Sequence, residues 1–271
     1  MRRPTERPRT KFALQFFVVV ALAFSFRSAS SAELASENLA QVPAGQLNPF
    51  WQTTLSKKEK KGKAAPIAVS GFASMTKQVT VGQFIRFLES NPEWKKENIS
   101  SLFADESYLI NLKGPKIDDD SPMTSVSWFA AKAYCESVHL RLPTTNEWEY
   151  MAAASETKVD PTKARAFLQR ILDWYGEPQV GPIKKVGSIY KNLYGIWDLH
   201  GLVWEWVSDF NSNFVTGESR EDTSFNKDMF CGSGALAGAN KEDYAAFMRF
   251  AFRSGLKGKS SVGNLGFRCV K

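Results

Sequence analysis

Tyr194-Gly195-Ile196-Trp197-Asp198-Leu199-His200-Gly201-Leu202-Val203-Trp204-Glu205-Trp206 packs three tryptophans, two glycines and two acids into thirteen residues. A glycine at 201 lets the chain turn, so that nearby carbonyls and the acids Asp198 and Glu205 can converge. From spacing alone those acids read as ordinary surface carboxylates. Val203–Val207 is a short apolar strand signal, and Ile183–Val186 and Phe247–Phe252 are two more.

Working outward from that stretch, three helices are legible. Thr80-Val81-Gly82-Gln83 is a capping box, in which the Thr80 hydroxyl takes a backbone N–H and Gln83 reaches back. Phe84, Phe87 and Leu88 then form one apolar face, and Asn91-Pro92 ends the helix. Ser127 caps a second helix with Trp128, Ala131 and Cys135 on one stripe. Thr144-Thr145-Asn146-Glu147 is another capping box, opening a third helix through Trp148 and Met151. Short apolar runs, glycines and long loops lie between. This mixture predicts an irregular α+β domain rather than a parallel α/β one.

The two ends of the chain differ in character. Arg2, Arg3, Arg7, Arg9 and Lys11 precede an apolar run, Phe12 to Phe26, and then Ser28-Ala29-Ser30-Ser31-Ala32. A basic start, a short apolar core and a small-residue site form a secretory signal, residues 1–32, cleaved after Ala32. The alternative is an uncleaved anchor, for which the run is short. Export to the periplasm or beyond is therefore expected, with membrane contact only through an uncleaved signal. Residues 33–65 lack apolar period and read as a flexible linker, and residues 66–271 as one domain. Of 35 basic and 28 acidic residues, 11 and 4 lie within residues 1–63, leaving 24 of each in the domain. A formally neutral domain offers no basic face for phosphate backbones, and no nucleic-acid partner is expected.

Four stretches together resemble one family. They are Val126 to Cys135 (VSWFAAKAYC), Arg141 to Tyr150 (RLPTTNEWEY), the opening stretch from Tyr194 to Trp206, and Asn264 to Cys269 (NLGFRC). In this order, spanning nearly the whole domain, they are similar to the motifs of the formylglycine-generating enzymes, the sulfatase-modifying factors. The resemblance implies a single-domain variant of the C-type-lectin-like fold.

It also implies site residues. The family places a structural calcium in the loop matched here by Asp198, Gly201, Val203 and Glu205: two carboxylates and two backbone carbonyls, the hard oxygens calcium prefers. Ligands for a second, upstream family calcium site are not found around Trp174 to Val186. The family pairs the cysteines matched by Cys135 and Cys269, and an oxidising compartment permits such a disulfide. A second family pair falls on Ala152 and Phe250, so both partners are missing together. Cys231 is left over, either an inert small hydrophobe or a redox thiol.

The enzymes of the family hold copper(I) between two closely spaced cysteines, a soft ligand pair for a soft ion. Here one of those positions falls on Ala245 and the other near Leu236 to Asn240, with no cysteine between 231 and 269. Copper is not expected at that place. A related branch uses three histidines, whereas this chain has only His139, in a turn, and His200, beside the calcium-type loop. Trp204, Ser233 and Arg253 match family pocket positions, and Cys231 lies beside them. The resulting expectation is an accessory or maturation factor that binds another exported protein and lacks the family's oxidase activity. The wording of 230–234 and of 243–249 is similar to a branch that accompanies copper-type nitrite reductases. An atypical oxidoreductase acting on a protein or peptide, and a calcium-dependent lectin-like module, are the alternatives.

Overall fold

The computed structural model describes residues 39–48, 66–113, 117–159, 165–178, 181–211 and 241–271. Residues 1–32, where a secretory signal is expected, lie outside them together with Cys231 and Ser233. Among the described residues no helix is long and apolar enough to cross a membrane.

Strand β1 (Leu39–Val42) pairs antiparallel with β4 (Phe72–Met75), setting Leu39 opposite Met75 and Val42 opposite Phe72. Strand β2 (Gly45–Leu47) pairs in the same sense with β3 (Ile67–Val69). Residues 39–47 were expected to belong to the flexible linker, and this part of that boundary is corrected. Val42 and Leu47 are buried and belong to the core, so two apolar contacts and two hydrogen-bond ladders hold a segment whose small and polar composition hides any period.

The three expected helices form where their caps stand. Helix α1 (Val81–Ser90) has the reciprocal Thr80–Gln83 capping box and ends at Asn91, whose N–H bonds the Phe87 carbonyl. Ser127 caps α2 (Trp128–Ser137) through the Ala130 N–H. Thr144 and Glu147 form the capping box of α3 (Thr145–Ala152). Phe84, Phe87, Tyr134 and Phe267 pack ring on ring between α1, α2 and the C-terminal segment, with centroids 5.2–6.1 Å apart.

The chain end ties the domain together. Strand β5 (Trp204–Glu205) runs parallel to β6 (Leu265–Gly266), and Val270 bridges to both Ser74 and Arg141. A disulfide joins Cys135 of α2 to Cys269, residues 134 apart in sequence, as the family resemblance implied. Closing a loop of that size stabilises the fold by about 5 kcal/mol in the chain-entropy account. The architecture is a mixed α+β domain of small sheets with much irregular backbone, as expected.

Two further helices depart from the sequence reading. Helix α4 (Arg165–Gly176) had no counterpart there. Helix α5 (Lys241–Ser254) replaces the expected strand Phe247–Phe252. Its inward residues are Ala245, Ala246, Arg249, Phe250 and Arg253, a helical spacing disguised because two of them are arginines. The third strand signal, Ile183–Val186, is loop, tied to the body by the Val186 N–H on the Asp120 carbonyl.

Candidate functional site

Two buried polar assemblies meet at Trp148. The first surrounds the opening loop. Asp198 has a left-handed backbone (φ 58°) and is fully buried. Its carboxylate accepts backbone N–H groups from Gly187, Ile189 (2.9 Å) and Tyr190 (3.3 Å), which holds a conformation that non-glycine residues seldom adopt. Gly201 (φ 121°) lies so close to Ile189 that a Cβ there would sit 2.7 Å from its Cγ2. Glu205, on β5, points inward. Its Oε1 accepts from Gln78 Nε2 (2.8 Å) and Arg268 Nη2 (2.7 Å), and its Oε2 from Trp148 Nε1 (2.9 Å) and Arg268 Nε (2.7 Å). Gln78 Nε2 also reaches the Asp198 carbonyl at 3.0 Å.

Asp198 and Glu205 are therefore interior groups rather than surface acids. Their oxygens are already turned to N–H donors. A carboxylate offers about four lone-pair positions, and all four of Glu205 are taken. The calcium ligand set carried over from the family does not fit Glu205 as it stands here.

The second assembly packs against the Trp148 ring. Glu149 of α3 takes hydrogen bonds from Arg249 Nε (2.9 and 3.0 Å), Arg249 Nη2 (2.6 Å) and Arg253 Nη1 (2.7 Å), both arginines belonging to α5. Burial alone would raise the Glu149 carboxyl, but the two guanidinium charges and their hydrogen bonds overcome it and hold it at about 2. Arg249 also donates to the Tyr175 hydroxyl (3.0 Å), and the Arg253 guanidinium lies 4.7 Å from the Trp148 ring centre. The sequence singled out Arg253 but missed Glu149 and Arg249, its ion-pair partner and neighbour.

Over this cluster stands an aromatic layer. Trp204 stacks between Tyr175 of α4 (5.0 Å) and Phe252 of α5 (4.6 Å), with Trp174 tilted against it at 5.2 Å. All four rings are half-buried. Of the expected pocket residues, Trp204 and Arg253 converge on this corner. Rings from the two helices that the sequence did not reveal as helices pack against Trp204.

Ala245, the position matched to a copper cysteine, is buried in α5 against Phe167, Ile171 and Tyr190. His200 is buried with Nε2 on the Ala152 carbonyl (3.0 Å). Burial, and then the Arg249 charge, push it down to about 3, so it is neutral at ordinary pH and unsuited to acid–base work there. His139 is exposed in its turn. Among the described residues no three His, Cys, Asp or Glu side chains cluster as metal ligands.

The family model for the sulfatase-modifying factor enzyme 1-like domain matches residues 26–271. The chain belongs to this family. Within it, the formylglycine-generating enzyme of Mus musculus is 26% identical over 284 residues, covering 88% of this chain and 76% of that protein. The formylglycine-generating enzyme of Streptomyces coelicolor is 34% identical over 167 residues, covering 55% of this chain and 52% of its own length. A Bos taurus protein named inactive C-alpha-formylglycine-generating enzyme 2 is 31% identical over 167 residues, covering 55% and 50%. The relatives thus include proteins named as formylglycine-generating enzymes and one named as inactive.

Proposed function

We propose that this protein is an exported accessory or maturation factor of the sulfatase-modifying factor family, which binds another exported protein and does not generate formylglycine. One observation carries the reading. With Cys135 and Cys269 joined, a single thiol remains in the chain, and Ala245 stands buried in a helix where the resemblance calls for a copper cysteine. Two adjacent thiolates cannot be assembled from one. The relative named as inactive supports the same direction. The half-buried rings of Trp174, Tyr175, Trp204 and Phe252 form the face on which a client segment would rest, since aromatic and arginine side chains are the usual anchors of such contacts.

The client is an exported enzyme, and the similarity of 230–234 and 243–249 to a branch accompanying copper-type nitrite reductases makes such a reductase the first to test. Co-expressing the full chain with that reductase in a host that exports both should yield a complex recoverable from the exported fraction. Trp204→Ala should weaken it, and should also lower the thermal midpoint because the ring stacks on Tyr175 and Phe252, so recovery is compared at a temperature where the variant remains folded. Recovery unaffected by Trp204→Ala would remove the aromatic face from the account. No complex with the reductase, and normal reductase maturation in a strain lacking this chain, would overturn the accessory reading.

A further inference from the structure

We infer that the loop resembling the family calcium site is held here by Arg268 instead of a metal ion. Arg268 is fully buried, and every one of its N–H directions is used. Nε and Nη2 bind the two oxygens of Glu205, Nη2 also reaches the Trp197 carbonyl (2.8 Å), and Nη1 reaches the carbonyls of Met75 (3.3 Å) and Thr76 (3.5 Å). A guanidinium has five donors and no acceptor, and these contacts exhaust them. Glu205 is saturated from the other side by Gln78 and Trp148. The two ions form a closed, bidentate unit with the geometry in which guanidinium and carboxylate match best.

A calcium ion entering through Glu205 would have to displace Arg268. That would leave a permanent cation buried without its counter-charge, beside a second cation. Asp198 does not rescue such a site, because its carboxylate already draws in the 187–190 backbone through three N–H groups. Within Gln78, Glu205, Trp148 and Arg268, Gln78 Oε1 is the side-chain acceptor left without a partner, and even with the Gly201 and Val203 carbonyls of the implied ligand set three neutral oxygens fall short of the six to eight that calcium takes. Arg268 thus brings Glu205 on β5, Trp197 and the 75–76 backbone to one point without an ion.

The test uses the mature chain as purified. Elemental analysis should find calcium far below one per chain. The thermal midpoint should agree within about 1 °C in excess EGTA and in millimolar calcium, since a ligand that binds only the native state would raise it. Arg268→Met should lower the midpoint equally in both media, with no recovery on adding calcium. Calcium retained at one per chain, or a wild-type midpoint that falls by about 5 °C or more in EGTA, would overturn the inference. The wild-type measurements decide the matter even where Arg268→Met does not fold.

Discussion

Replacing Glu149 by Gln tests the link between the buried ion cluster and the placement of α5. The side chain keeps its size but loses its charge, leaving Arg249 and Arg253 buried beside a neutral amide. Two routes give the same magnitude. Glu149 titrates at about 2 against an ordinary value of 4.5, and that difference converts to about 3 kcal/mol of charge-dependent stability. Removing one partner from a buried pair typically costs about 3–5 kcal/mol. In a domain of this size each kcal/mol moves the midpoint by about 2–4 °C, so Glu149→Gln should lower it by roughly 6–20 °C. The control is Glu156→Gln, which breaks the exposed pair with Arg170. There the loss should stay under about 1 kcal/mol. Thermal unfolding followed by tryptophan fluorescence reads both, and it also reports on the rings stacked around Trp204. If the two substitutions shift the midpoint equally, the cluster does not hold α5 in the way argued.

Other consequences follow from single features. The folded values of both His200 and Glu149 lie below their unfolded ones, so each contributes stability that is complete above the unfolded value. The loss therefore begins as pH falls below about 6.5, where unfolded His200 takes a proton, and steepens below about 4.5 through Glu149. Urea unfolding across pH 8 to 4 should show this slope, and His200→Gln should flatten its upper part. Reducing the Cys135–Cys269 disulfide, or replacing both cysteines by Ser, should cost about 5 kcal/mol, measured as a lower urea midpoint. Gly201→Ala meets Ile189 at 2.7 Å and a left-handed backbone, so it should cost at least about 1–3 kcal/mol. Thr144→Ala, which removes only a cap, should cost about 1 kcal/mol.

The sequence made legible whatever rests on local chemistry. Thr80, Ser127 and Thr144 each announce a helix start because a hydroxyl there satisfies an N–H that the helix itself leaves open. The motif order made the fold and the Cys135–Cys269 pair accessible through resemblance. What escaped depends on contacts distant in sequence. Strands β1 and β2 carry little apolar signal and exist because β3 and β4 offer them edges. Helix α5 reads as a strand while Arg249 and Arg253 are counted as polar, and becomes a helix only when Glu149, about a hundred residues earlier, draws both inward. Likewise Asp198 and Glu205 suggest a metal loop only through the family resemblance, whereas Arg268 and the 187–190 backbone are what they bind in the fold.

Turnover of a peptide thiol is the most direct trial of the central claim, that this family member keeps the fold without the copper chemistry. The mature chain, supplied with copper(I), oxygen and a cysteine peptide, should leave the peptide free of aldehyde by mass spectrometry and should consume no oxygen beyond a protein-free blank. Formation of a peptide aldehyde by the monomer holding one copper per chain would contradict the account.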